Sequence, residues 1–154
     1  MDVLERIQNL LAEHGVPFHI VSHRPVYTSS EAAEVRGVSL KSGAKALIVK
    51  VKEEFVMLVL PGDRRLDRKK LRGNLGYKSV RFATSEEVQE LTGLTPGAIP
   101  PFGSLFQLKT YCDPALGENE EINFNCGTHT KSMTIRYEDY LKTEKPTVVE
   151  FSEE

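Results

Sequence analysis

The sequence predicts an α+β fold with a mixed, mostly antiparallel and curled sheet. Three observations lead to this prediction. Apolar residues recur at helical spacing near the N-terminus, two apolar runs of strand length stand together in the middle of the chain, and two capping-box patterns open further helices. Strands mostly follow one another, with helices between only some of them. At this chain length we expect one domain over residues 1–154.

In the first half of the chain, each element has its own local signal. Apolar residues at helical spacing predict an amphipathic helix over residues 2–14, which Gly15 ends. The stretch VPFHIV predicts a short strand, and Thr28-Ser-Ser-Glu31 is a capping box that predicts a helix to about Arg36. The apolar runs AKALIVKV and FVMLVL, separated by KEE, predict an antiparallel hairpin in the middle of the sheet.

The second half begins with a basic helix predicted near residues 66–72 and a strand at SVRFA. Thr84-Ser-Glu-Glu87 is a second capping box, opening a helix that Gly93 closes. The stretch TGLTPGAIPPFG holds three glycines and three prolines, so it must be an ordered loop. Three further strands are predicted at SLFQLKTYC, EEINFNC and SMTIRY, followed by a short helix near YEDYL.

Composition indicates an ordinary globular protein, with 40% hydrophobic and 27% charged residues. No apolar stretch has the length of a membrane span, and the start MDVLERIQNL lacks a signal-peptide pattern, so we expect a cytoplasmic protein without membrane contact. The two cysteines, Cys112 and Cys126, form no CxxC pair and are expected to be reduced thiols.

A net charge of −2 gives no global attraction to nucleic acid, so any contact with RNA must come from a local patch. One such patch exists, because RRLDRKKLR, residues 64–72, holds six basic residues and one acidic residue. A run of this kind is more often a solvated helix face, and the RNA-binding interpretation stays open beside it.

Motifs for common cofactors are missing. The chain has no GxGxxG, no GxxxxGK[ST] and no GxSxG, so no cofactor is expected. His19 and His23 stand four residues apart, which would suit a metal on a helix. The segment is predicted to be a strand, however, and no Cys or acidic cluster completes the site. We therefore interpret them as ordinary strand histidines and expect no metal.

Lys45 lies at the mouth of the strand AKALIVKV, where its side chain shares a face with Leu47 and Val49. A desolvated ammonium group costs several kcal/mol unless it meets a partner. Two interpretations remain open: the lysine reaches water along its apolar stem, or it meets an anionic ligand.

Two glycine-bearing loops could contribute to the same site. In GAIPP, Gly97 allows close approach to a ligand and Pro101 fixes the backbone, so free N–H groups could bind a carbonyl oxygen or an oxyanion. In NCGTHTKS, Gly127 follows a strand and His129 lies just beyond it, where loops often carry function. For each loop taken alone, a structural turn is the simpler interpretation.

Taken together, these segments resemble the YbaK/ProX family of free-standing aminoacyl-tRNA editing proteins, which is related to the editing insertion domain of bacterial prolyl-tRNA synthetase. The resemblance covers nearly the whole chain. It comprises HRPVYTSSEAAE, AKALIV, LPGDRRLDRKKLRGNLG, TGLTPGAIPPFG, YCD and FNCGTHTKSMTI. The order and spacing of these segments are more specific than any one of them. The family fold is a mixed sheet curled into a partial barrel with surrounding helices.

The resemblance implies an enzyme, an aminoacyl-tRNA deacylase that hydrolyses the ester joining a wrong amino acid to tRNA. In this family Lys45 matches the essential pocket lysine, placed to hold the 3′-terminal adenosine or its phosphate. The resemblance also implies a substrate-binding set, which consists of His23, Thr28, Ala46, Gly97, Ala98, Ile99, Pro101, Gly127 and His129. The candidates for contact with the tRNA backbone are Arg64, Arg65, Arg68 and Lys69.

Two positions depart from the family pattern. The residue after the lysine, often Thr or Asn in relatives, is Ala46, and Cys126 stands where a small hydroxyl residue or Ala is common. The expected substrates are small amino acids such as alanine, serine or cysteine on a non-cognate tRNA, with tRNA-Pro as one candidate and a synthetase as a candidate partner. The alternative is a non-catalytic tRNA-binding or protein-interaction module on the same fold.

Overall fold

The computed structural model describes residues 1–154. Five α-helices are present: α1 (Val3–Glu13), α2 (Ser29–Arg36), α3 (Arg68–Leu75), α4 (Ser85–Thr92) and α5 (Tyr137–Glu144). Ten β-strands are present: β1 (His19–Ser22), β2 (Ala44–Val51), β3 (Glu54–Pro61), β4 (Arg65–Leu66), β5 (Val80–Phe82), β6 (Lys109–Cys112), β7 (Glu121–Asn125), β8 (Lys131–Arg136), β9 (Thr147–Val148) and β10 (Ser152–Glu153). Short 3₁₀ turns occupy Leu40–Ser42, Gly103–Phe106 and Pro114–Glu118.

The strands form three sheets. A five-stranded sheet has the order β5-β2-β3-β6-β9, in which β3 and β6 run parallel while β2 pairs antiparallel with both of its neighbours. A three-stranded antiparallel sheet has the order β1-β8-β7, and β10 pairs with β4. A single bridge between Gly43 and Asn123 links the first two sheets. The predicted α+β class with a mixed sheet is confirmed, and the strands do not close into a barrel.

The hairpin of β2 and β3 lies between two hydrophobic clusters, which explains its nearly continuous apolar sequence. Ala44 and Ile48 of β2 pack into the larger cluster, which also contains Ile7 and Leu11 of α1. Val49, on the opposite face, packs into the smaller cluster, which also contains Leu71 and Phe151. Each face of β2 is therefore covered except at its first residues, where Lys45 lies half-buried.

Helix caps locate α2 and α4 where the sequence predicts them. Thr84 forms a complete capping box, because its hydroxyl accepts from the Glu87 N–H and the Glu87 carboxylate accepts from the Thr84 N–H. Thr28 caps α2 by accepting from the Glu31 N–H, whereas the Glu31 carboxylate accepts from the Tyr27 N–H and the Thr28 hydroxyl, and not from the Thr28 N–H. Both helices end at a glycine with positive φ, Gly37 for α2 and Gly93 for α4, and Gly93 was predicted to close its helix.

One predicted strand is largely wrong. Residues 104–108 were expected to extend β6, but the chain forms a 3₁₀ turn over Gly103–Phe106 and β6 begins at Lys109. Gly103 packs so closely that a Cβ there would lie 2.3 Å from the Thr110 hydroxyl oxygen, and Gln107 has φ of 59°. The chain therefore folds back on itself here. The two-residue strands β4, β9 and β10 have no signal of their own in the sequence.

No α-helix of the structure combines the length and the hydropathy that crossing a membrane requires.

Candidate active site

A cavity of about 170 Å³ opens where α2, the start of β2 and the loop that contains Gly97 meet. This loop is called the glycine-bearing loop below. Residues between 27 and 36 form one side of it, and residues between 40 and 47 form another. Gly97, Ile99 and Asn125 complete the wall. Ala32, Ala33 and Ala46 are small, so most of the wall is backbone, methyl groups and a few polar side chains. The cavity is smaller than the roughly 300–1,000 Å³ of sites for drug-sized ligands.

Lys45 contributes a free cation to this cavity. Its position near the start of β2 is fixed by pairing with Leu60 of β3. Its ammonium group donates no hydrogen bond and forms no ion pair within the protein. Burial lowers the pKa of Lys45, and the negative charge of Asp63 partly opposes this shift. A half-buried cation without a partner is an arrangement suited to an anionic ligand.

The loop of Gly97 presents backbone to the cavity. Gly97 has φ of 90°, in the left-handed region that favours glycine, and its carbonyl accepts a hydrogen bond from Asn125 Nδ2 at 2.6 Å. The N–H groups of Gly97 and Ile99 have no acceptor within the protein, whereas the Ala98 N–H donates to the Thr95 carbonyl. Because Gly97 and Ile99 both line the cavity, these two unpartnered N–H groups are candidates to bind a ligand oxygen.

Arg36, at the end of α2, connects the walls of the cavity. Its guanidinium donates to Ser132 Oγ at 2.7 Å, to Asn123 Oδ1 at 2.7 Å and to Asn125 Oδ1 at 3.0 Å. It forms no ion pair, and burial lowers the pKa of Arg36 to about 10. Because Asn125 in turn holds the Gly97 carbonyl, this fork of hydrogen bonds ties α2 to the glycine-bearing loop.

The structure brings only part of the predicted substrate-binding set into the cavity wall. The predicted residues that line it are Thr28, Lys45, Ala46, Gly97 and Ile99. Those outside the wall are His23, Ala98, Pro101, Gly127 and His129. Ala98 and Pro101 are buried behind the loop, where the Ala98 carbonyl accepts from the Gly127 N–H and the Pro101 carbonyl accepts from the Tyr140 hydroxyl.

His129 and Gly127 support the glycine-bearing loop from behind. His129 Nδ1 donates to the Val26 carbonyl at 2.9 Å, and its Nε2 accepts from the Thr95 hydroxyl at 2.9 Å. A Cβ at Gly97 would lie 3.4 Å from the imidazole. Gly127, with φ of 94°, faces α1, because a Cβ there would lie 3.1 Å from Val3.

His23 lies outside the cavity wall and is connected to it by hydrogen bonds through Ser132 and Arg36. The Arg24 carbonyl can only accept, so His23 Nδ1 donates to it at 2.7 Å. His23 Nε2 then accepts from the hydroxyl of Ser132, whose oxygen accepts from Arg36. No group of three His, Cys, Asp or Glu side chains is arranged to hold a metal ion.

Cys126 and Cys112 are free, buried thiols, as expected from the sequence. Burial raises the pKa of Cys126 to about 11 and that of Cys112 to about 12. Both sulfurs are therefore protonated at neutral pH, which makes them poor nucleophiles.

Three of the four candidates for backbone contact with tRNA have partners within the protein. Arg64 donates to Ser152 through two nitrogens, at 2.8 and 3.2 Å, and Arg65 forms an ion pair with Glu153 at 2.8 Å. Arg68 donates to the Val80 carbonyl at 2.7 Å. Only Lys69 among the four is exposed with a side chain that contacts no partner. The segment therefore holds the C-terminal residues against β4 and α3.

Ten of the fifteen residues that line the cavity were not among the predicted site residues, and they include Arg36, Asn125 and Tyr27. Arg36 has the pattern of an ordinary cation at a helix C-terminus, where the helix dipole favours positive charge. Asn125 is the last residue of β7, and its amide has no local signal. Tyr27 lies in the family segment HRPVYTSSEAAE, just before a capping residue, but no role was predicted for it.

Comparison with known proteins assigns the family. A model described as the aminoacyl-tRNA editing domain matches residues 23–143. The chain is 38% identical over 152 residues to the multifunctional Ser/Thr-tRNA deacylase ProXp-y of Escherichia coli strain K12, covering 96% of this chain and 91% of that protein. It is 32% identical over 112 residues to a proline–tRNA ligase of Trichlorobacter lovleyi, covering 67% of this chain and 19% of the ligase.

Solved structures agree with this assignment. A structure described as a candidate trans-editing enzyme for prolyl tRNA synthetase superposes with a TM-score of 0.86 at 27% identity, covering 100% of this chain and 99% of that one. The inclusion of residues 1–22 and 144–154 in the same domain stays a prediction, since the family match covers only residues 23–143. The resemblance to editing proteins is confirmed, and the chain belongs to the aminoacyl-tRNA editing domain family.

Proposed function

We propose that this protein is a trans-editing deacylase, which hydrolyses the ester between a small amino acid and the terminal ribose of a tRNA that carries it wrongly. One observation carries the proposal: a small cavity contains an unpaired, half-buried ammonium group on one side and free backbone N–H groups on another. The family and the deacylase named among its relatives support it.

In this proposal Lys45 acts as an electrostatic clamp. It holds the terminal nucleotide through its phosphate or ribose, as the only free cation of the cavity wall. The N–H groups of Gly97 and Ile99 donate to the ester carbonyl oxygen as negative charge develops on it. Arg36 is a positioning residue, because it holds Asn125, which holds the Gly97 carbonyl.

The bond changes need no nucleophile from the protein. Water attacks the ester carbonyl carbon, the bond from that carbon to the ribose oxygen breaks, and the proton lost by water passes to the departing ribose oxygen. The neighbouring ribose hydroxyl of the substrate can assist this transfer. A thiol-bearing amino acid can instead attack its own carbonyl carbon, which breaks the same bond to the ribose oxygen and passes the thiol proton to that oxygen. Both buried cysteines of the protein are protonated and stay outside the reaction.

The size of the cavity limits the substrate. A volume of about 170 Å³ has to hold the ester group as well as the side chain, which favours small side chains such as those of alanine, serine, threonine or cysteine. Exclusion by size is needed because one methylene gives only about 1–3 kcal/mol of discrimination through favourable contact. The proline–tRNA ligase among the relatives makes tRNA-Pro one candidate carrier and a synthetase a candidate partner. The same function would place the protein in the cytoplasm.

The test is a deacylation panel. tRNA-Pro and one unrelated tRNA are charged with alanine, serine, threonine, cysteine or proline, and release of each amino acid is followed with and without the protein. We expect turnover of at least one small amino acid and none of proline on tRNA-Pro. Binding of tRNA without release of any amino acid would instead favour a non-catalytic binding module and would reject the deacylase.

A further inference from the structure

Tyr27 places an aromatic ring at the rim of the cavity. The residue lines the cavity, immediately precedes the Thr28 cap of α2, and is 69% exposed. Single exposed aromatic residues are common on protein surfaces, so exposure alone implies little. Phe82, which is 55% exposed on β5 away from the cavity, is an example on this chain.

What distinguishes Tyr27 is the support beneath its ring. Its ring centroid lies 4.7 Å from that of His129, with 35° between the planes. His129 is itself fixed by hydrogen bonds to the Val26 carbonyl and the Thr95 hydroxyl. The Tyr27 N–H donates to the Glu31 carboxylate at 3.3 Å, which holds the backbone at the start of α2. One side of the ring is therefore supported while most of its surface faces solvent.

We propose that Tyr27, supported by His129, is the platform on which the unpaired terminal base of the tRNA acceptor end stacks. This inference rests on the proposed function, because an ester held in the cavity brings the base of the same nucleotide to the rim. Unpaired RNA bases are commonly bound by stacking on aromatic side chains, and a supported ring loses little freedom when the base arrives.

The test compares two small esters of serine that differ only in the base. One is 3′-O-seryl-adenosine, and the other is the seryl ester of 1-O-methylribose, which has no base. Tyr27→Ala should lower kcat/KM for the adenosine ester by about 5- to 150-fold, the range for loss of one base stack. It should leave kcat/KM for the methylribose ester unchanged. Tyr27→Phe should stay within about threefold of the parent on both, and Phe82→Ala is the matched control.

A second measurement does not depend on catalysis. An uncharged acceptor-stem hairpin with 2-aminopurine as its terminal base should lose fluorescence on binding to the parent protein, Tyr27→Phe and Phe82→Ala, but keep it with Tyr27→Ala. Two results would overturn the stacking role. One is an equal loss of kcat/KM on both esters in Tyr27→Ala, and the other is a loss of 2-aminopurine fluorescence with Tyr27→Ala as large as that with the parent protein. If the parent hydrolyses neither ester nor any aminoacyl-tRNA, the proposed function fails, and the fluorescence result alone decides whether the base stacks.

Discussion

Two groups of basic residues in this protein differ in what their side chains already bind. In the segment Arg64–Arg72, Arg64 and Arg65 contact the C-terminal residues Ser152 and Glu153. In the cavity, Lys45 forms no hydrogen bond and no ion pair. Arg36, beside it, has three neutral acceptors and no carboxylate. Arg64 and Arg65 of the dense basic run therefore help to hold the C-terminal residues, whereas the isolated lysine remains available to a ligand.

The comparison shows that charge density alone is a poor guide to a binding site. A cation whose N–H groups already donate within the protein has fewer of them left for a phosphate, and breaking such a bond costs about 1.5–3 kcal/mol when one partner is charged. A cation held half-buried without a partner gains from binding an anion, because the ligand offsets part of its desolvation. Four predictions test this contrast, from the largest expected effect to the smallest.

The largest effect is expected for Lys45→Met, which keeps the apolar stem and removes the charge. We expect kcat/KM for a misacylated tRNA to fall about 10²–10³-fold, as for loss of one electrostatic contact in the transition state. The thermal unfolding midpoint should stay the same or rise, because a desolvated charge is removed. Lys50→Met, on the same strand but outside the cavity, is the control. Full activity of Lys45→Met would remove the lysine from the reaction.

Arg36→Lys should have the next largest effect, since it keeps the charge but cannot reproduce the fork of hydrogen bonds. We expect a loss of about 10- to 100-fold in kcat/KM and of about 3 kcal/mol in the free energy of unfolding.

Asn125→Ala removes the hydrogen bond to the Gly97 carbonyl while Arg36 keeps two of its partners. It should lower kcat about tenfold with KM nearly unchanged. A stable Asn125→Ala variant with unchanged kcat would show that the loop needs no such support.

Arg64→Ala should act on stability and leave catalysis alone. It breaks two hydrogen bonds to Ser152, a buried residue whose hydroxyl and N–H also donate to the Asp113 carboxylate. We expect urea denaturation to show a loss of about 1.5–3 kcal/mol. The control is Arg72→Ala, which removes an exposed side chain and should change the free energy of unfolding by no more than about 0.5 kcal/mol. Equal stability of the two variants would contradict the docking role of Arg64.

The smallest effect concerns the salt dependence of tRNA binding. Lys69→Ala removes a free cation, so the slope of log affinity against log salt should become shallower by about 0.7–0.9 if that residue contacts a phosphate. Arg65→Ala should leave the slope unchanged, because its guanidinium is paired with Glu153. A shallower slope in Arg65→Ala would show that the ion pair opens when tRNA binds.

Several elements were predictable because their signals are local. The caps at Thr28 and Thr84 involve residues three apart, and they locate the starts of α2 and α4. The hairpin of β2 and β3 follows from two apolar runs with a short turn between them. Residues 104–108 were mispredicted, because the close packing of Gly103 on Thr110, and not local propensity, decides their path.

The site was predictable only in part. Lys45, Gly97 and Ile99 were identified through family segments, and they do meet in one cavity. Arg36 was missed because its partners Asn123 and Ser132 lie 87 and 96 residues further along the chain. His129 was expected in the wall of the pocket, yet it lies behind Gly97 and beneath Tyr27. Spacing along the chain cannot distinguish a residue that lines a cavity from one that supports the lining.

By itself, the sequence determined where the main helices begin, which strands form the central hairpin, and which family the chain belongs to. These depend on short-range hydrogen bonds and on alternation of apolar residues along a few positions. Only the tertiary structure decided which cations are free and which are already bound. That outcome depends on contacts between segments that are distant in the chain, such as those from Arg64 to Ser152 and from Arg36 to Asn125.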